Sequence, residues 1–261
     1  MKNPQTMTWP GGAKAAVSMT YDDGNMNNLD IAIPDLEDSG FCGTFYLTTG
    51  GGNAKSRAAD WRAAFGRGHE IGNHSVHHPA RSEAYPSNPS WLTHRLDQYT
   101  QEDIDREVGD AAAWLDEQIG PDPDRSYAFP CGHVSIGIPP DETAYRNAIL
   151  KCHRFARAGC VLKKPQSSFD GINDPRQVDL LKIDGVSYFP SNEEFFPPLL
   201  ESALASGGWL ALIFHGVGGP SHETPREIHR AIIHALKEAP FWVAPVRDVA
   251  RHIECARGTG A

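Results

Sequence analysis

Three short runs of residues could do chemistry together. The first is Thr20-Tyr21-Asp22-Asp23-Gly24, with two adjacent carboxylates at the expected C-terminal end of a strand, where ligands and catalytic groups collect in α/β folds. Adjacent carboxylates repel, and a nearby cation keeps both ionised at neutral pH. The second is His69-Glu70-Ile71-Gly72-Asn73-His74-Ser75-Val76-His77-His78. His74 and His78 are four residues apart, so on a helix they share a face and both reach one metal, while His77 points elsewhere. Two neutral imidazoles and one carboxylate make the three-ligand, open-position set of hydrolytic metal centres. Zinc is the first expectation for such a set, and nickel and cobalt also fit. The third run, Leu212-Ile213-Phe214-His215-Gly216, ends an apolar strand on a titratable ring and places an acid or base at the same rim.

The elements that must position these residues alternate along the chain. Ala15 to Thr20 reads as a strand, Leu29 to Leu36 as a helix and Gly43 to Thr48 as a strand, which together make a β-α-β unit. Ile104, Val108, Ala111, Leu115 and Ile119 recur at helical spacing behind a Thr100/Asp103 cap, so a helix is expected from about Glu102 to Ile119. Gly120 and Pro121 stop it. Apolar runs at Tyr127 to Phe129, Phe155 to Ala158, Trp209 to Phe214 and Phe241 to Val246 read as further strands, and Arg226 to Lys237 as a helix. This alternation predicts a largely parallel sheet or barrel in one α/β domain over residues 1–261. Arg81 to Thr100, with Tyr85, Trp91 and Tyr99, reads as a long loop, and long loops in compact domains often carry function.

Composition removes several classes. A formal net charge of -9 with no basic stripe argues against nucleic acid as a partner. No segment approaches the roughly 20 apolar residues of a membrane span. Nothing in MKNPQTMTWPGGAK is apolar enough for a leader, so the chain as given is expected in the cytoplasm; a trimmed secreted chain would look the same. Cys42, Cys131, Cys152, Cys160 and Cys255 form no C-x-x-C pair, and reduced thiols are expected rather than a disulfide framework or a thiolate zinc site.

In this order the runs resemble the polysaccharide deacetylase family, carbohydrate esterase family 4, also called the NodB homology domain. Thr20 to Gly24 matches its Thr-Phe-Asp-Asp-Gly motif, and Gly68 to His78 matches its Gly-His-Glu-Ile-Gly lead and His-Ser/Thr-x-x-His motif. Tyr127-Ala128-Phe129-Pro130-Cys131-Gly132 stands for Phe-Ala-Tyr-Pro-Tyr-Gly, and Ile213-Phe214-His215 for Leu-x-His. The resemblance runs from about Ala15 to Ile253. It implies a distorted (β/α) barrel and a metal-dependent hydrolase that removes N- or O-acetyl groups from a carbohydrate. Carried over by residue, it makes Asp22 the general base and His215 the general acid. Asp23, His74 and His78 become the metal ligands, and the backbone N–H of Cys131 an oxyanion donor. Tyr21, Pro130 and Gly132 fall in the motifs that would border the substrate.

Two positions depart from the family pattern. Ala128 stands where other members carry an arginine that holds the catalytic aspartate, and a methyl group cannot do that. Arg157 is the first expected substitute, ahead of Lys182. Cys131 stands where tyrosine is common; its backbone donor survives, but the pocket wall shrinks. Tyr85, Trp91, Trp209 and His222 are candidates for shaping substrate choice. Two other readings remain open at this point: a cyclic amide or ureide hydrolase of the same superfamily, and a non-catalytic carbohydrate-binding protein on this scaffold.

Overall fold

The structure is a computed structural model that describes residues 7–159, 171–189, 193–194, 196–219 and 223–258. Its strands are β1 (Ala15–Tyr21), β2 (Thr44–Leu47), β3 (Glu70–Asn73), β4 (Tyr127–Ala128), β5 (Ala156–Arg157), β6 (Ile172–Asn173), β7 (Gly185–Ser187), β8 (Trp209–Phe214), β9 (Gly216–Val217), β10 (Glu223–Thr224) and β11 (Phe241–Val243). Its α-helices are α1 (Ile33–Glu37), α2 (Gly52–Ser56), α3 (Ala58–Gly66), α4 (Gln101–Gln118), α5 (Glu142–Leu150), α6 (Phe196–Ser206), α7 (Arg226–Glu238) and α8 (Val246–Arg257).

The strands β5-β4-β3-β2-β1-β8 lie side by side in parallel, and β7 pairs in parallel with β8. Arg157 and Ile183 form a parallel bridge, joining β5 to the segment that enters β7. The result is a nearly closed (β/α) barrel, as the alternation predicts. The first half of β1 also pairs with β11, while its second half pairs with β2. Successive side chains on a strand point to opposite faces, and this barrel uses the two faces differently. Ala15, Val17, Met19 and Tyr21 of β1 join Phe45, Leu47 and Ile71 in an outer apolar layer under the helices. The alternate positions Thr44, Tyr46, Glu70 and Gly72 face inward, with Ser18, Thr20 and Asp22.

Local chemistry explains the helices that bound the site. Thr100 accepts from the Asp103 N–H, and Asp103 accepts from the Thr100 N–H, a capping box that starts α4 where the sequence places it. In α8, Val246, Val249, Ala250 and Ile253 are buried at helical spacing, and Gly258 closes the helix in the left-handed conformation. Two expected elements differ. The helix expected over Leu29 to Leu36 begins as a π-helical turn, Asn28–Ala32, before α1, because Pro34 has no N–H for the regular ladder. The strand expected to run to Val246 ends at Val243, since Pro245 caps α8 and cannot donate to a sheet. Among the described residues no helix is long and apolar enough to cross a membrane.

Candidate metal centre and active site

Asp22 leaves the C-terminal end of β1 toward the inside of the barrel and is buried. Its Oδ1 accepts a hydrogen bond of 2.5 Å from the Arg157 guanidinium, which is itself 1% exposed. Burial alone pushes the Asp22 carboxyl up; Arg157, His74 and His215 outweigh it and hold the group below the usual carboxylate range. Arg157 is therefore the cation beside the aspartate. Ala128 and Arg157 are partners in the β4–β5 register, so the guanidinium arrives from the strand next to the one that carries the family arginine. Gly185 makes the room: a Cβ there would lie 2.8 Å from Arg157 Cδ. Lys182, the second expectation, pairs with Glu142 on the surface instead.

Asp23 follows at φ 70° and turns its carboxylate out of the strand line, toward two histidines. Its Oδ1 lies 3.5 Å from His74 Nε2 and 3.4 Å from His78 Nε2. The three ligand atoms are all within 4.8 Å of one another. His74 Nδ1 is 2.9 Å from the Ala128 carbonyl, which can only accept. That bond fixes the proton on Nδ1 and leaves the Nε2 lone pair facing Asp23. Burial pushes the His74 pKa down to about 4, so the ring is neutral at working pH, the form a metal requires. This donor set fits a divalent ion. The helical route to that convergence is not the one taken: residues 74–78 form an irregular turn after β3, with Ser75 at φ 67° and His78 at φ 53°. The tight turn, rather than a helix face, brings the rings to a centroid separation of 4.9 Å.

A cleft of about 450 Å³ opens over these groups, lined among others by Asp22, Asp23, His74, Cys131, Arg157 and His215. His215 follows β8, and Asn28 Nδ2 donates to its carbonyl. Cys131 sits at φ 53° in a 3-10 turn over Pro130–Gly132; N–H groups at the start of such a turn lack partners inside it and are free to donate outward. A second cleft of about 510 Å³ meets the first at Asp23, His78 and Cys131, and Trp91 lines it. Tyr85 lines the first cleft together with Cys131. The loop from Arg81 to Thr100 thus forms a wall of the site, as its length and aromatics suggest.

Several expected site residues lie elsewhere. Tyr21 occupies an outward position of β1; its ring is fully buried and its hydroxyl is 2.7 Å from His229 Nε2, so its side chain does not border substrate. Pro130 is buried beneath the turn, and of the neighbouring pair Gly132 alone lines the cleft. Trp209 is buried in the barrel and donates to Ser18. His222, like Cys160, lies outside the described residues.

Glu107 is the residue that motif reading passes over. It is buried on α4 and accepts from the backbone N–H groups of Val76 and His77, inside the ligand turn. A signal was present in the sequence: Glu107 falls on the same helix face as Ile104, Val108 and Ala111, and an acid on an apolar stripe needs a partner.

Comparison with known proteins agrees with this fold. No curated protein matches the chain by sequence. Among solved structures, a Mycobacterium smegmatis protein named a polysaccharide deacetylase is similar at a TM-score of 0.65 and 16% identity, covering 97% of this chain and 95% of its own. A Pseudomonas aeruginosa PAO1 protein of the same name gives 0.65 and 12%, over 97% and 95%. A family 4 acetyl xylan esterase from Clostridium thermocellum, solved with a cobalt ion, gives 0.55 and 19%, over 94% and 93%. Residues 10–139 match the family model described as polysaccharide deacetylase, a span that holds Asp22, Asp23, His74, His78 and Cys131 and stops short of Arg157 and His215. The chain belongs to the polysaccharide deacetylase family.

Proposed function

We propose that this chain is a metal-dependent hydrolase that removes an N- or O-acetyl group from a carbohydrate, with residues 1–261 acting as one catalytic domain. The observation that carries the proposal is the placement of Asp22. It is ionised by Arg157, 3.9 Å from His74 Nε2, and in the same cleft as His215. Asp23, His74 and His78 would hold the divalent ion, with zinc as first choice and nickel or cobalt fitting the same donors. When bound, the ion polarises the acetyl carbonyl and acidifies a water. Support for a metal here also comes from the cobalt ion in the similar Clostridium thermocellum esterase.

The chain's own residues supply the rest. Asp22 accepts the proton of the attacking water, and Arg157 keeps its carboxylate charged and aimed. The Cys131 N–H donates to the oxyanion that forms on the former carbonyl oxygen. His215 donates a proton to the departing amine or alkoxide, so the products are acetate and the free sugar amine or hydroxyl. Loss of the metal histidines would have favoured a cyclic amide hydrolase, and loss of any of Asp22, Asp23, His74, His78 or His215 an inactive binding protein; all five are present.

Acetate release tests the proposal, using acetylated chitooligosaccharides, peptidoglycan fragments and acetylated xylan, before and after chelation and zinc addition. Release that a chelator abolishes and zinc restores is the expected result. Absence of release from every acetylated sugar, with metal bound, defeats it.

A further inference from the structure

We infer that Glu107 is a positioning residue for the metal centre, and that its carboxylate sets metal affinity by fixing the backbone of the turn that carries His74 and His78. The inference rests on the proposed metal site. Accounting for the turn's backbone N–H groups shows why. His74 N–H donates to the Leu47 carbonyl and Ser75 N–H to Asn73 Oδ1. Val76 and His77 N–H both donate to Glu107 Oε2, at 3.0 and 2.9 Å, and His78 N–H donates to Ser75 Oγ. Two successive N–H groups converging on one oxygen make an anion-holding nest, and here the anion is a side chain from another element.

On the other side of the turn, the Ser75 and Val76 carbonyls accept from Thr49 and Gly50. The residue after Glu107 also grips it, since Val108 O accepts from Asn73 Nδ2. The turn is therefore held between α4 and the segment after β2, and among the described residues the Glu107 carboxylate is the only charged group in its backbone hydrogen bonds. Ser75 and His78, at positive φ, keep that uncommon conformation because these bonds over-determine it.

His77, His94 and Glu107 also lie close enough together to be read as a second metal site. The hydrogen bonds assign the cluster otherwise. Glu107 Oε1 accepts from His77 Nδ1–H at 2.7 Å and from Tyr99 OH at 3.0 Å, so both of its oxygens already hold two donors. The His77 and His94 rings stack face to face at 4.0 Å, which places His77 as a brace for the carboxylate. An amide at position 107 would turn two donors of its own toward donors already present, and the nest would lose its anion.

Competitive titration of Zn²⁺ against a chromophoric chelator tests this, with the folded protein compared across variants. Glu107→Gln is expected to weaken zinc affinity about 10–100-fold, the scale for partners that orient metal ligands. Glu70→Gln removes another buried carboxylate with four donors, at the far end of β3, the strand that leads into the turn. It is expected to lower the melting temperature and leave zinc affinity within about twofold of the parent, a margin set by additivity at separate sites. If Glu107→Gln does not fold, Tyr99→Phe and His77→Ala each remove one brace and are expected to weaken zinc binding severalfold. Parental affinity in Glu107→Gln, or in both brace variants, overturns the inference. So does a loss of affinity in Glu70→Gln equal to that in Glu107→Gln. A parent chain that binds no divalent metal instead defeats the metal reading, and this inference with it.

Discussion

Two buried carboxylates stand at opposite ends of one barrel and are treated in opposite ways. Glu70 enters β3 at the bottom and is satisfied by Thr44 Oγ1, by Ser126 through its N–H and hydroxyl, and by the Arg247 N–H. Burial outweighs the Arg247 charge and these donors together, and the Glu70 carboxyl stays above its ordinary range. Asp22 leaves β1 at the top, where a whole guanidinium faces it, and it stays below that range. A polar column joins them: Ser126 Oγ donates to Glu70 and bonds Tyr46 OH, and the Arg157 guanidinium lies 5.0 Å from the Tyr46 ring centroid. Hydrogen bonds and a guanidinium paired elsewhere, Arg247 with Asp122, suffice where a carboxylate only holds strands together. At Asp22, where the proposed function needs a base, a guanidinium is in direct contact with the carboxylate.

Breaking the comparison at its Asp22 end is expected to give the largest effect. Asp22→Asn is expected to lower kcat for acetate release by about 10²–10⁴-fold while zinc still titrates at parental stoichiometry, whereas His74→Ala loses both. Near-normal turnover in Asp22→Asn would remove the base assignment. Arg157→Met is expected to lower kcat/KM by roughly 100-fold, as for a misplaced catalytic group. Its pH profile carries the sharper test. With Arg157 gone, burial acts on Asp22 with less opposition and its pKa rises. With the carboxylate as the proposed base, the acid limb of kcat/KM then moves to higher pH. An unmoved limb would show that Arg157 does not govern Asp22.

At the bottom the expected effects are smaller and of another kind. Glu70→Gln leaves buried donors facing an amide, at about 1–3 kcal/mol, which in a chain of this size corresponds to a fall in melting temperature of roughly 2–10 °C. Differential scanning calorimetry checks the loss, and kcat/KM of the folded fraction should stay within about twofold, since distant sites act independently. A catalytic defect in Glu70→Gln as deep as that in Arg157→Met would erase the distinction between the two ends.

The sequence made the top rim legible and left its supports less so. Asp22, Asp23, His74, His78 and His215 stand out because each is chemically unusual for its place at a strand end. Arg157 was readable only by asking what could replace an arginine at Ala128. The answer depends on strand order, which no local pattern carries. The turn over residues 74–78 is not legible from spacing, because i, i+4 is shared by helices and by tight turns closed through side-chain acceptors. Tyr21 was misplaced for a simpler reason. A motif assigns residues by adjacency, but a strand sends neighbours to opposite faces, and only Asp22 of that pair looks inward. Glu107 needed tertiary contacts before its purpose could be stated, although its burial on an apolar helix face was already visible.

The register of Ala128 with Arg157 makes the guanidinium's home a place on the ring rather than a place in the chain. Arg157 fills the space above Tyr46 from β5, beside Ala128 on β4, and Gly185 leaves room for it on the far side. Diagnosing an inactive relative from one missing motif arginine is therefore unsafe in this architecture. What identifies a working site is the inventory of charges that reach this space, whichever strand delivers them.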